Sequence, residues 1–204
     1  MRKFPTISVG NRSSTLKAVP ATFHTEQWVP FPVELVFAFF ANPYNLPLLM
    51  PKFFKVRIEE AALAPPPSRP VAPDPALRLK SIAAGAGSRF SVSACLVPLP
   101  LINFRVPWEV EITEFAWNHH FTDVQLRGPF RYWKHTHSVS EETRANEAGV
   151  PIHGTRVSDD IEFTPPMAFA SSAIIRRQLA SNFRTRQKKL DSILPKLVAS
   201  LNRR

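Results

Sequence analysis

The sequence predicts an α+β fold in which one curved antiparallel β-sheet wraps around a long C-terminal α-helix. Two observations carry this prediction. Residues 90–163 hold a series of alternating apolar and polar segments with no helical segment between them, and a helical apolar stripe begins at about Ser172. Strands that follow one another without intervening helices pair as an antiparallel meander. The terminal helix is then the long amphipathic element available to cover the apolar face of the sheet.

The first part of the chain predicts a strand followed by two short helices. We expect a strand over residues 21–29 and a helix over residues 33–40, whose apolar residues recur at helical spacing. An Asn-Pro pair ends this helix, because the residue before a proline avoids the α region. Residues 44–50 indicate a second short helix or turn, and residues 52–60 alternate like a half-buried strand.

The rest of the chain predicts the meander and the terminal helix. Five strands are expected here, at residues 90–96, 104–113, 121–126, 130–139 and 155–163. The polar residues 141–150 are expected to form a loop. Pro195 lies inside the stripe of the terminal helix and predicts a kink or break, because proline removes a helical hydrogen bond.

Composition limits the class of protein. The 204 residues suffice for one domain with a buried core. With 44% hydrophobic and 21% charged residues, the chain is not of the disordered class. No apolar run approaches the ~18 residues of a membrane-spanning helix. The six glycines do not form a phosphate-binding loop of either common type.

Cys95 is the only cysteine, which excludes an intramolecular disulfide and a cysteine-based zinc site. It falls on the polar side of its predicted strand without an evident activating partner, so we expect an inert thiol. Such cysteine usage is typical of a reducing compartment. We therefore expect a cytoplasmic protein, or one that lies peripherally at a membrane.

The net charge of +10 is concentrated at the two ends of the chain. Residues 1–20 hold four basic residues and no acidic one, and residues 171–204 hold nine basic residues against Asp191. A basic surface is either simply solvated or attracted to nucleic acid or an anionic membrane. Because the chain lacks the usual nucleic-acid-binding motifs, we expect no nucleic-acid partner and at most weak membrane contact.

Two segments differ from the predicted domain of residues 21–204. Residues 1–20 resemble a transit peptide in composition, but a disordered basic tail is the simpler interpretation. Residues 61–76 contain six prolines, which exclude a helix or strand interior. We interpret this segment as a loop insertion, either disordered or serving as a binding motif or lid.

A sheet wrapped around one helix leaves space between the two, and bulky side chains are expected to face it. This arrangement predicts a concave, mostly apolar pocket for a small molecule. The predicted ligand-binding residues are Trp108, Val110, Ile112, Trp133, His135, His137, Asp159, Phe163, Leu179 and Phe183.

His135 and His137 lie two residues apart on a predicted strand, so both face the same side, together with Trp133 and Val139. Two imidazoles in a pocket can act as general acid and base, contact a ligand or bind a metal. They can equally bond to neighbouring side chains and only shape the sheet. Because no third metal ligand is evident, we predict neither a metal nor a cofactor.

Asp159 is in phase with Val157 and Ile161 on an apolar face, where an unpaired carboxylate is costly. One interpretation gives it an arginine or histidine partner, with Arg186 of the terminal helix as a candidate. The other makes it a polar pocket group with a perturbed pKa. Asp159 joins His135 and His137 as a candidate catalytic residue.

Several motifs resemble the SRPBCC superfamily, which contains the START, Bet v 1 and polyketide cyclase proteins. Residues 29–43, VPFPVELVFAFFANP, resemble the approach to that family's first helix. Residues 121–130, FTDVQLRGPF, followed by Trp133, His135 and His137, resemble a bacterial branch described as cyclase/dehydrase or ligand-binding. The resemblance covers roughly residues 23–200 and implies the helix-grip fold. The proline-rich segment and the basic tail depart from the pattern.

The superfamily contains carriers, cyclases, hydrolases and regulators, so the resemblance implies function only by analogy. Three functions remain open at this point. The first is binding or carriage of an apolar small molecule such as a lipid, quinone or polyketide-like ring, without catalysis. The second is a cyclase or dehydratase that uses the histidine pair. The third is a basic protein that binds a membrane surface or nucleic acid.

Overall fold

The computed structural model describes residues 19–71, 78–95, 105–165 and 171–203. Short 3₁₀ turns at Pro43–Asn45 and Lys52–Phe54 flank the second helix. The helices and strands are β1 Ala21–Val29, α1 Val33–Phe40, α2 Leu46–Leu49, β2 Arg57–Ala62, β3 Arg89–Cys95, β4 Arg105–Ala116, β5 His120–Arg127, β6 Tyr132–Ala145, β7 Pro151–Thr164 and α3 Ser172–Leu201.

The strands form one antiparallel sheet in the order β1-β7-β6-β5-β4-β3-β2. Strands β2 to β7 follow one another as a meander, and β1 returns to pair with β7 from Ala21↔Phe163 to Val29↔Thr155. Helix α3 packs on the face of the sheet that carries the apolar residues of β6 and β7. The predicted fold class is therefore confirmed.

Two apolar clusters hold α3 in place. Near its C-terminal half, Leu190 and Leu194 are buried with α1 and with Val139 and Val157 of the central strands. Near its N-terminal half, the second cluster is formed by Trp133, Ile161, Phe163, Leu179 and Phe183. Both clusters lie over the β6–β7–β1 end of the sheet.

The element boundaries differ from the prediction at two strands. Residues 52–54 form a 3₁₀ turn and β2 begins only at Arg57, because Lys55 adopts a left-handed conformation with φ of 45°. The β6–β7 hairpin runs to Ala145↔Pro151, so the first half of the predicted loop, residues 141–145, is strand and only residues 146–150 form the turn. Polar alternation in a solvated hairpin looks like a loop in the sequence, since little of it is buried.

Of the kink or break predicted at Pro195, the break was wrong, since α3 continues from Ser172 to Leu201. Pro195 is exposed, while Leu194 before it is fully buried and Leu197 and Val198 after it pack against the core. Burial on both sides of the proline outweighs one missing backbone hydrogen bond.

The part of the proline-rich segment that the structure describes is anchored to the domain. Trp117 Nε1 donates a hydrogen bond to the Pro67 carbonyl at 2.7 Å, and Arg69 donates to the carbonyls of Leu79 and Glu34. Residues 1–18 and 72–77, and the predicted strand ends at residues 96 and 104, lie outside the described residues. Across the described part of the chain, no helix combines the length and apolar character needed to span a membrane.

Candidate ligand-binding site

A cavity of about 230 Å³ lies between α3 and the β3–β5 side of the sheet. Its floor comes from alternate residues of β3 to β6, its roof from α3, and its remaining wall from α1, α2 and the two 3₁₀ turns. Apolar side chains dominate this lining: Phe39, Phe40, Leu46, Leu49, Met50, Phe54, Phe90, Val92, Trp108, Val110, Ile112, Phe121, Trp133, Leu179 and Phe183.

The structure brings seven of the ten predicted residues to this cavity: Trp108, Val110, Ile112, Trp133, His135, Leu179 and Phe183. Phe163, His137 and Asp159 are buried elsewhere. Phe163 is 0% exposed beneath α3, where Leu179 and Phe183 occupy the adjacent space. His137 lies between the rings of Phe40 and Phe121, with centroids 4.1 and 5.1 Å away.

The sequence did not identify two parts of the lining. The apolar alternation of β3 was visible, but nothing assigned Phe90 and Val92 to the pocket. The wall formed by Leu46, Leu49 and Phe54 comes from short turns whose position depends on tertiary packing. No local periodicity marks such residues as cavity-lining.

A buried polar network crosses β5, β6 and β7 at the edge of the cavity. Asp123 lies directly across from His135 in the sheet, and His137 lies directly across from Asp159. His135 Nδ1 is 3.0 Å from Asp123 Oδ2, and His135 Nε2 is 2.8 Å from Asp159 Oδ1. His137 Nδ1 is 2.9 Å from that same Asp159 oxygen. The predicted partner of Asp159 is thus the histidine pair.

The charges in this network follow from burial and pairing. Burial alone would lower the pKa of His135, but Asp123 and Asp159 outweigh it and raise the pKa to about 9. Burial keeps the pKa of His137 below its usual value, despite the attraction of Asp159. Burial would raise the pKa of Asp159, but the histidines and Arg186 hold it well below its usual range. At neutral pH, His135 is an imidazolium between two carboxylates and His137 is neutral.

This arrangement leaves the histidines little capacity for acid–base chemistry. Both ring nitrogens of His135 are bonded to carboxylates. His137 donates from Nδ1 to Asp159, and its Nε2 is buried with no hydrogen-bond partner among the described residues. Neither ring offers a free nitrogen to the cavity. The geometry therefore favours a structural role for the pair.

His135, His137 and Asp159 also present three ligand atoms within 4.8 Å of one another, close enough to suggest a metal site. However, both histidine nitrogens point at one carboxylate oxygen at hydrogen-bond distance. An ion bound to all three would have to take the place of the proton on His135, which its raised pKa retains. The donor set fits a hydrogen-bond network better than a metal centre.

In the part of the chain that the structure describes, four polar residues line the cavity in addition to His135: Asn45, Asp123, Asn182 and Arg186. Asn45 and Asn182 make local hydrogen bonds, to the Phe39 carbonyl and from Gln178 respectively. The Arg186 guanidinium lies over the Phe183 ring, 4.4 Å from its centroid. Asp123 is the acidic group at the cavity surface.

Cys95 lies away from the cavity lining and is buried. Its Sγ is 3.8 Å from Arg105 Nη1, so the structure supplies the basic neighbour that the sequence did not reveal.

No known family profile matches the chain, and no curated protein matches it. Solved structures do. Ara h 8.0201 is 12% identical, with 89% of this chain and 99% of that chain covered and a TM-score of 0.51. A START superfamily protein from Mycobacterium smegmatis is 10% identical, with 86% of this chain and 98% of that chain covered and a TM-score of 0.54. Protein CV1439 from Chromobacterium violaceum is 14% identical, with 84% of this chain and 95% of that chain covered and a TM-score of 0.53.

The chain has the helix-grip fold. These neighbours match it over nearly their whole length, with the same sheet wrapped on a terminal helix. In this helix-grip domain the cavity occupies the space between the two, on the side away from β1 and β7. At such low identity the likeness extends to the fold alone, and the ligand must be argued from this chain's own residues.

Proposed function

We propose that this protein binds a small apolar molecule in the cavity between α3 and strands β3 to β5, without catalysing a reaction on it. The cavity itself carries the proposal. Protein interiors contain few voids larger than one water molecule. A volume of about 230 Å³ is many times the ~10–15 Å³ that one water molecule needs. Apolar walls hold so much water poorly, so an apolar ligand is the natural occupant.

The volume also limits the ligand's size. An apolar cavity of about 150 Å³ accommodates benzene, whereas drug-sized ligands occupy roughly 300 Å³ or more. The 230 Å³ cavity therefore suits a molecule of one or two rings or a short chain. A quinone or polyketide-like ring matches this size, and a long acyl chain would extend beyond the cavity.

The alternative of a cyclase or dehydratase finds less support. It requires His135 or His137 to exchange a proton with the ligand, and both nitrogens of His135 are bonded to carboxylates. His137 does not line the cavity. Binding without catalysis needs none of these groups to be free.

A fluorescence titration with an apolar probe tests the proposal. A bound probe is expected to quench Trp108 and Trp133, which line the cavity with their rings 5.0 Å apart. Val110→Phe fills the cavity from its floor and should weaken binding at least tenfold while the protein still melts cooperatively. Val124→Phe makes the same change at a residue outside the lining and should bind normally. Equal binding by both variants would refute the proposal.

Membrane contact is a second candidate, because the outer side of α3 is strongly basic. Asp191 is the single acidic residue of this helix. The exposed basic residues of the helix are Arg176, Arg177, Arg184, Lys188 and Lys196. Each basic residue near an anionic surface contributes about 1 kcal/mol at low salt. We expect weak binding to vesicles containing phosphatidylserine, lost as salt increases. Equal binding to phosphatidylcholine vesicles would contradict this expectation.

A further inference from the structure

We propose that the ligand is a neutral apolar molecule that carries a hydroxyl group, and that Asp123 Oδ1 accepts a hydrogen bond from that hydroxyl. This inference rests on the proposed function, since it names the class of ligand for the same cavity.

Asp123 has a carboxylate oxygen that an apolar occupant alone would leave without a hydrogen bond. Its side chain lines the cavity and is only 15% exposed. Oδ2 is bonded to His135 Nδ1 at 3.0 Å, while Oδ1 makes no hydrogen bond within the described part of the chain. An ionised carboxylate oxygen only accepts hydrogen bonds, and leaving it unpaired in an apolar wall is costly.

The surroundings hold Asp123 in this position. It lies directly across from His135 in the β5–β6 ladder, and His135 is fixed on its other side by Asp159. The carboxylate therefore cannot turn away when an apolar ligand enters. A hydroxyl on the ligand satisfies Oδ1 without any rearrangement of the network.

The charge balance favours a neutral ligand. Asp123 and Asp159 are matched by the His135 imidazolium and the Arg186 guanidinium, while His137 is neutral. A ligand anion would lie beside the Asp123 carboxylate, and a ligand cation would lie beside the His135 imidazolium. Each would also lose its hydration in an apolar cavity.

Arg186 is a weaker candidate than Asp123 for binding a polar group of the ligand. Its guanidinium lies over Phe183, and its charge acts on Asp159 and His137. An acidic ligand group bound by Arg186 is therefore the competing outcome, and it predicts the opposite order of affinities.

Four matched naphthalenes separate these outcomes by displacement of an apolar fluorescent probe. We expect 1-naphthol, which donates a hydrogen bond, to bind roughly tenfold more tightly than naphthalene or 1-methoxynaphthalene. We expect 1-naphthoate to bind most weakly. Equal affinities for 1-naphthol and 1-methoxynaphthalene, or tightest binding of 1-naphthoate, would overturn the inference and leave the proposed function intact. If none of the four displaced the probe, both would fail.

Two variants assign the effect to Asp123. Asp123→Leu removes the acceptor, and the preference for 1-naphthol should fall below about twofold while naphthalene still binds. Asp123→Asn is the safer variant for folding; its one amide oxygen accepts from His135 and its NH2 faces the ligand, so the preference for 1-naphthol over 1-methoxynaphthalene should be lost here too. Asp160→Asn, an exposed carboxylate paired with His24, is the matched control and should keep the full preference. An equal loss for all four compounds in both Asp123 variants would show a merely structural role and overturn the inference.

Discussion

The two ends of the sheet carry similar apolar side chains in very different surroundings. At the β7 end, Ile161 and Phe163 are 1% and 0% exposed and pack directly beneath α3. At the β4 end, Val110 and Ile112 are nearly as inaccessible, yet they line a cavity of about 230 Å³. Low exposure thus describes a filled core in one place and the wall of a binding site in the other.

The position of α3 explains the difference. The helix packs against β1 and the β6–β7 hairpin, where its leucine and phenylalanine side chains fill the space. Strands β3 and β4 lie farther along the sheet and face α2 and its flanking turns across the cavity. The buried polar network lies at the junction, with Asp123 and His135 on the cavity side and Asp159 on the packed side.

The largest expected effect is at this junction. Asp159→Asn leaves the His135 imidazolium with one carboxylate and removes the negative charge from the oxygen shared by both histidines, so the free energy of unfolding should fall by about 3–5 kcal/mol. Asp160→Asn changes the neighbouring, exposed carboxylate and should cost less than about 0.5 kcal/mol. Urea denaturation of both variants measures the difference. Similar small losses would show that the network does not stabilise the packed half.

The pH dependence of stability should also originate at the junction. Because the pKa of His135 is raised from 6.5 to about 9, its contribution is complete below pH 6.5 and is lost as pH rises through 9. The loss should amount to about 3 kcal/mol. The pKa of His137 is lowered, so its neutral form stabilises above pH 6.5 and this contribution is lost as pH falls. Stability should therefore be greatest near pH 6.5.

Unfolding free energies at pH 6.5 and 9.5 test the alkaline side. His135→Gln should be less stable than the unmodified protein at pH 6.5 but should lack the alkaline loss. If the variant keeps the same loss between these two pH values, another group is responsible.

The smallest expected effect compares the two halves directly. Ile161→Val removes one methylene from the packed half and should cost about 1 kcal/mol, since a small cavity is created. Ile112→Val removes the same group from the wall of an existing cavity and should cost less, while it changes probe affinity. Equal losses of stability, with no change in probe affinity for Ile112→Val, would mean that both ends of the sheet are packed alike.

The sequence predicted the fold because alternating apolar and polar residues mark the buried face of each strand. The apolar stripe near the C-terminus marks the helix that covers this face of the sheet. The sequence also placed His135 and His137 on one face with Trp133, and Asp159 in phase with Val157 and Ile161; all three polar residues are buried in the structure. It could not show that both histidines converge on one Asp159 oxygen, because that depends on the register between strands. Nor could it show that Phe163 lies in the packed core while Ile112 lines a cavity. Alternation identifies the buried face of a strand, but not whether other side chains fill the space opposite that face.

Native mass spectrometry of the protein purified from its own host tests the central claim most directly. If the β3–β5 half is a binding site, the protein should carry a neutral molecule of one or two rings, and that molecule should be absent from Val110→Phe prepared in the same way. Detection of the same molecule on Val110→Phe, or of a folded protein with no bound molecule that also fails to take up any apolar probe, would contradict the account.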